Sequence, residues 1–431
     1  MPTRTIFLLG LIALVLAGCN LPTPGVTTPT ARPTPTPEAI TTPALVAAWV
    51  DGGNLMVWRT GDDLPRRIAV GGVIQPVISP DGQTIAFTRG PQGQRASLWV
   101  VDSAGTAERQ IAGEDALMAD TPANTRREIA QVVWAGPEHL LFNTRLVPTL
   151  PMPGGAPADD LWRVDLPGGR AVRLLADGAG GVFTPSPDGQ WIALARSGSY
   201  SAAPGRLWLA DLQGAVQREL LSFPAVATAS EYNFYPEPVW LPDSSAVLAA
   251  IPPPELIYSD STAEDPQPVA LWELPISGEP RQRGTVAATL FGLPRWSPDG
   301  QWLTYITQIG PRAENRIALQ LARGDGTAPR TLVEGTVGTL QPAEWGPAGF
   351  TYTAGAAGAL WFGTPERPPE RIPSDGETAY FPLWAGPNLL LYATAPQAPC
   401  EIRAYDLDAG LLTALGTVST GAPVFDARLL D

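Results

Sequence analysis

The sequence predicts an all-β fold, an eight-bladed β-propeller made of four-stranded antiparallel blades. Three observations predict it. A Pro-Asp-Gly turn recurs between apolar runs, an aromatic-bearing strand follows each copy, and the two ends of the folded region hold complementary pieces of one blade. The region from residue 45 to residue 431 is larger than one ordinary core supports, so a repeat architecture is the expected solution.

The repeat is clearest in three places: Pro76-Val77-Ile78-Ser79-Pro80-Asp81-Gly82, Thr184-Pro185-Ser186-Pro187-Asp188-Gly189 and Arg295-Trp296-Ser297-Pro298-Asp299-Gly300. Proline presets φ, aspartate bonds its own backbone and glycine accepts positive φ, so each copy reads as the tight turn of a hairpin. Weaker copies stand at Val133-Trp134, Val239-Trp240, Glu344-Trp345 and Leu383-Trp384. A third strand follows in Leu98-Trp99-Val100, Leu161-Trp162-Arg163, Leu207-Trp208-Leu209 and Leu271-Trp272-Glu273, and then an arginine-bearing fourth. Four antiparallel strands make one propeller blade.

Ile78, Trp134, Pro185, Trp240, Trp296, Trp345, Trp384 and Phe425 take equivalent positions, giving eight first strands but only seven complete blades. The last first strand, around Phe425, lacks its other three. Leu45 to Val50, Leu55 to Arg59 and Arg66 to Ala69 supply three strands without a first, so joining the ends completes the ring and removes open sheet edges. Loss of Pro-Asp in the late repeats keeps seven blades as the alternative.

The Ser-Pro-Asp-Gly and Leu-Trp-x-x-Asp pattern resembles the WD40-like Pro-Asp repeat (PD40) of TolB-type propellers, also found in the propeller domains of prolyl oligopeptidases. The resemblance covers nearly all of the chain after residue 44. It implies the propeller fold. TolB's role in its envelope complex does not carry over, because nothing here supplies the domain that precedes TolB's propeller.

The N-terminus reads as an export signal: Arg4, an apolar run from Ile6 to Leu16, then Leu16-Ala17-Gly18-Cys19. The run is too short to span a bilayer as a mature helix. The last four residues look like the lipobox of bacterial lipoproteins, which implies removal of residues 1–18 and a diacylglycerol on Cys19. Residues 19–44 form a Thr/Pro-rich linker, expected to be extended and disordered, and residues 45–431 form the propeller. The expected location is the outer face of a bacterial membrane, at the cell surface or in the periplasm, with the protein as a monomer. Cys400 is expected to be a buried thiol without a disulfide.

The formal net charge is −14, and all 28 basic residues are arginine. That balance argues against a nucleic-acid partner, and the absence of lysine removes lysine Schiff-base chemistry. In a blade, the turns between strands one and two and between three and four share one face of the disc. The remaining connections share the other. Every long segment falls on that second face: Gly113 to Arg127, Leu146 to Asp160, Ser197 to Gly205, Phe223 to Glu237, Pro252 to Pro268 and Gln308 to Glu314. Long loops on a rigid scaffold are where binding is built. The candidate binding face comprises Glu114, Asp115, Asp120, Asp159, Asp160, Asp260, Glu264 and Asp265, with Tyr200, Tyr232, Phe234, Tyr235 and Tyr258 as aromatic contacts. The expected partner is a cationic or carbohydrate-rich envelope component, a protein or a glycan. The opposing expectation is a solvated acidic rim.

Neither a cofactor nor a metal is expected, since no loop has the spacing of a dedicated calcium site and the chain has one histidine and two cysteines. His139 is expected to be an exposed turn residue, and no Gly-x-Ser-x-Gly elbow is present for a serine nucleophile. The resemblance to prolyl oligopeptidases is therefore expected to stop at the propeller. A non-catalytic binding or scaffold module is the favoured reading. A glycosidase or lyase using paired channel carboxylates is the enzymatic alternative. Arginines on fourth strands (Arg109, Arg173, Arg218, Arg330) are expected to blunt exposed edges, and the periodic tryptophans to pack between blades.

Overall fold

The computed structural model describes residues 44–149, 155–198, 203–226, 233–254, 268–355, 358–373 and 379–430. Eight antiparallel sheets follow one another along the chain. Blades 1 to 7 begin at Val73, Thr125, Val182, Val239, Arg295, Glu344 and Tyr380. The eighth joins the two ends, in the order Arg66–Ala69, Asn54–Arg59, Leu45–Asp51, Phe425–Leu429. Leu45 pairs with Leu429, Ala47 with Ala427 and Trp49 with Phe425. Eight blades, closed by a C-terminal innermost strand, are the predicted arrangement, and the late repeats keep their blades although Pro-Asp is gone.

The second strand of a blade is covered on both faces by neighbouring sheets, so it is a continuous apolar run: Ala246–Ile251 and Leu389–Ala393 are buried at every position. Fourth strands lie at the rim and keep exposed polar positions, as in Val216–Phe223 and Arg330–Thr336. The core lies between blades. One apolar cluster joins Leu207 and Leu209 of blade 3 to Trp240 and Val247 of blade 4, and another joins Ala48 and Val57 of the closing blade to Ile78 and Ile85 of blade 1. Each fully buried aromatic such as Phe87, Phe142 or Phe183 contributes about 1.5–3 kcal/mol.

The serine of Ser-Pro-Asp-Gly has a structural task. Ser79 Oγ donates to Asp81 Oδ1 at 2.5 Å and accepts from Thr84 N at 2.9 Å, while Asp81 Oδ1 accepts from Gln83 N at 3.1 Å. Ser186 with Asp188 and Ser297 with Asp299 repeat the set. Gly82, Gly189 and Gly300 have φ of 65°, 67° and 66°, the left-handed conformation glycine tolerates without strain.

Tryptophans stitch one blade to the preceding one, as expected. Trp134 Nε1 donates to Val77 O at 3.1 Å, Trp240 Nε1 to Thr184 O at 3.0 Å and Trp345 Nε1 to Thr304 Oγ1 at 3.0 Å. Most of the fourth-strand arginines do more than blunt an edge. Arg109 of blade 1 donates to Pro167 O and Gly169 O in the outer turn of blade 2, Arg218 of blade 3 to Ile276 O and Gly278 O of blade 4, and Arg330 of blade 5 to Pro365 O of blade 6. A turn carbonyl is a fixed acceptor within reach of a long donor on the neighbouring blade, so these guanidinium groups clamp adjacent blades. Arg173 differs, as described below. Cys400 is a buried free thiol, its pKa raised by desolvation.

Candidate functional site

Blade 2 departs from the repeat. Its first two strands, Thr125–Trp134 and His139–Pro148, are ten residues each, whereas the first strands of blades 4 and 5 have two. The excess length lies at the start of the first strand and the end of the second. It therefore projects on the face that carries the interblade connections. Two segments expected to be loop, up to Arg127 and from Leu146, are thus partly paired strand, with Arg127 opposite Leu146 and Glu128 opposite Arg145. A short strand, Ala156–Pro157, pairs with the end of this hairpin, and a short helix, Glu114–Met118, precedes it.

Alternation along Arg126-Arg127-Glu128 sends its charges to opposite faces of the sheet. Arg127 is 2% exposed; its guanidinium bonds Asp160 Oδ2 at 3.1 Å, both oxygens of Asp177 at 2.9 Å and Thr144 Oγ1 at 2.9 Å. Asp160, 0% exposed, also accepts from Thr144 N, Thr144 Oγ1 and Trp162 Nε1, each at 2.7 Å. Asp177 is held below the usual carboxylate range by Arg127 and Arg173, which outweigh its desolvation. Arg173 stacks over the Trp162 ring, 5.5 Å from its centre, and reaches Asp177 and, at 3.5 Å, Asp120.

Asp160 must therefore be corrected: it is a buried structural anion and cannot meet a partner. The sequence could not reveal this, because its cation arrives from Arg127, in a segment read as loop. Its neighbour Asp159 is half-buried at φ 51° and accepts from the Tyr235 hydroxyl at 3.1 Å. Tyr235 lies between blades 3 and 4, so the contact carries that connection back across blade 3 to blade 2. Desolvation raises the Asp159 carboxyl to about 6, partly offset by Tyr235 and Arg196, and the same burial with the nearby carboxylate pushes the Tyr235 phenol up. Gly180 donates to Asp159 O at 2.5 Å, and a Cβ at Gly180 would fall 2.5 Å from Asp160 O, so only glycine fits.

Glu114, Asp115 and Asp120 are exposed on the connection before blade 2. Phe234 is corrected: it is 7% exposed and packs edge-on against Phe223, their centres 6.1 Å apart. Tyr200, Tyr232, Tyr258, Asp260, Glu264 and Asp265 lie outside the described residues. His139 begins a strand, half-buried, with Nδ1 2.9 Å from Asp165 Oδ1. Among the described residues, no group of three or more His, Cys, Asp or Glu side chains is gathered as for a metal ion.

Glu128 was not singled out by sequence. It is 2% exposed and sits on the other face of the hairpin, where Oε1 accepts from Arg126 Nε at 2.8 Å and Oε2 from Arg145 Nη2 at 2.7 Å and Nε at 3.2 Å. These two arginines hold its pKa below the usual range against desolvation. Arg95, from the connection between strands two and three of blade 1, docks beside them: its Nη1 donates to Ala130 O at 3.0 Å and its carbonyl accepts from Ile129 N at 2.9 Å.

No family model and no curated protein matches the chain. Solved structures do. A crystal structure of the eukaryotic initiation factor has a TM-score of 0.50 at 10% identity, with 89% of this chain and 98% of that one covered. One from a study of two prolyl endopeptidases has a TM-score of 0.47 at 17% identity, over 69% of this chain and 44% of that one. TolB from Acinetobacter baumannii has a TM-score of 0.32 at 16% identity, over 66% of this chain and 61% of that one. The chain thus spans less than half of the prolyl endopeptidase. At such identities the likeness is one of fold alone.

Proposed function

We propose that the protein is a non-catalytic binding or scaffold module, exported and tethered to the outer face of a bacterial membrane by lipid on Cys19, whose loop-rich face takes an envelope protein or glycan. One observation carries the reading: long connections and the extended blade-2 hairpin share one face of a closed ring, while Ser-Pro-Asp-Gly turns such as Asp81-Gly82 occupy the other. A rigid disc with one elaborated face is built for recognition. The exposed carboxylates Glu114, Asp115 and Asp120 lie on that face on the connection into blade 2, and Asp260, Glu264 and Asp265 extend it by sequence.

The enzymatic alternative draws on Asp159, a carboxyl with a pKa of about 6 beside a tyrosine hydroxyl. A glycosidase needs a second available acid, and the adjacent Asp160 is held by Arg127, Thr144 and Trp162. Binding is the better-supported reading.

The test is capture of partners from envelope extract with the full-length chain. An Asp115→Asn/Asp120→Asn/Asp260→Asn/Glu264→Gln/Asp265→Asn variant should lose its partner, whereas Asp102→Asn, in a turn on the opposite face, should retain it. Equal recovery by both variants would favour the solvated rim. Cys19→Ser should move the protein out of the membrane fraction.

A further inference from the structure

We propose that the blade-2 hairpin and the Arg95 loop form a site for an oxyanion, the carboxylate or phosphate group of a ligand. The proposal deepens the binding role assigned to the loop-rich face by naming a chemistry opposite to that of its acidic rim.

The argument begins with charge. Arg95, Arg126 and Arg145 surround one carboxylate, Glu128, so a surplus of two positive charges is concentrated in a protein whose formal net charge is −14. The like charges are forced together by strand register: Arg145 lies opposite Glu128, Arg126 two residues before it on the same face, and Arg95 is pinned by backbone hydrogen bonding to Ile129. Arg95 accordingly has a lowered pKa, from desolvation first and then from Arg145, with Glu128 opposing both. An anion would relieve that repulsion.

Donor inventory points the same way. Arg126 meets Glu128 through Nε alone, Arg145 through Nε and Nη2, and Arg95 uses only Nη1. Both terminal nitrogens of Arg126, Nη1 of Arg145, and Nε and Nη2 of Arg95 have no partner among the described residues. The Arg126 and Arg145 side chains are 33% and 48% exposed, so a ligand can reach them, and Glu128, at 3%, fixes their planes from beneath. Guanidinium forks held in this way match the flat oxygen pairs of carboxylates and phosphates. On the opposite sheet face Arg127 and Arg173 meet Asp160, Asp177 and Asp120, which leaves no such surplus.

The test is calorimetric titration of the full-length chain with inorganic phosphate and, separately, sodium glucuronate, at constant ionic strength set with sodium chloride. Saturable binding of at least one probe is expected, and which probe binds tells phosphate from carboxylate ligands. Arg145→Gln and Arg126→Gln should each weaken it about tenfold or more, and Arg206→Gln in blade 3 should not change it. Glu128→Gln, if its melting curve stays cooperative, should tighten binding, a sign that a merely structural cluster would not give. Absence of saturable binding of both probes, or unchanged binding in both arginine variants, overturns the proposal. Partner capture through the acidic residues is read separately and is unaffected by that result.

Discussion

The carboxylate of Asp426, on the last strand of the chain, accepts a hydrogen bond from Ile78 N at 2.6 Å, on the first strand of blade 1. The same strand donates from Leu429 N to Ala385 O of blade 7 at 2.7 Å. Phe425–Leu429 is thus paired to Leu45–Asp51 along its length and pinned to both neighbouring blades. Asp426→Ala leaves the Ile78 amide without its acceptor and is expected to cost about 1–3 kcal/mol. Burial raises the Asp426 pKa, so Asp426→Asn, which keeps an acceptor and removes the ionisation, should be milder at neutral pH. Chemical denaturation of the two variants checks the order.

Asp160 and Asp115 are both carboxylates near the blade-2 hairpin, yet their substitutions should differ sharply. Asp160→Ala leaves Arg127 with Asp177 as its one remaining carboxylate and strips the buried Thr144 N and Trp162 Nε1 of their acceptor, so it should destabilise by about 2–4 kcal/mol. Asp115→Ala, at an exposed position, should stay within about 0.5 kcal/mol. Equal melting temperatures for the two would contradict the buried network.

The pH dependence of Asp159 has an unusual sign. Its folded-state pKa, about 6, lies above the unfolded value, so the folded protein holds a proton that the unfolded chain releases. Its contribution is most favourable below about pH 4 and is lost as pH rises through 6. Asp159→Asn should therefore match the wild type near pH 4 and be more stable by about 1–2 kcal/mol at pH 7.5, in melting curves taken across that range.

The interblade clamps should be individually modest. Arg218→Ala removes hydrogen bonds to two carbonyls at the rim and is expected to cost about 0.5–1.5 kcal/mol. Trp134→Phe, which keeps most of the ring and loses the bond to Val77 O, should cost a similar amount. Urea midpoints of the two single variants and their combination will show near-additivity, because the pairs join different blades.

The ring was legible in the sequence because its determinants are local and repeated. Ser79-Pro80-Asp81-Gly82 closes its own turn, and a tryptophan-bearing third strand such as Leu207-Trp208-Leu209 follows it in blade after blade. Closure was legible because Leu45 to Ala69 lacks a first strand and Phe425 lacks the other three. The extended hairpin was not, since Thr125 to Glu128 is polar and charged and has no apolar alternation. Its pairing depends on partners in blade 1, in Pro148 and in Asp160. For the same reason an acidic loop pair, Asp159-Asp160, divided into a half-buried acid and a structural one. The roles of Arg109, Arg218 and Arg330 depend on turn carbonyls in the next blade, some 35 to 60 residues away.

Amide hydrogen exchange across Phe425–Leu429 tests the account most directly, because every reading of the elaborated face depends on a ring held shut by that strand. Protection close to that of an interior strand such as Trp191–Arg196 is expected, with both exchanging only through global unfolding. Exchange of Phe425–Leu429 at the rate of a frayed tail, while Trp191–Arg196 stays protected, would contradict it.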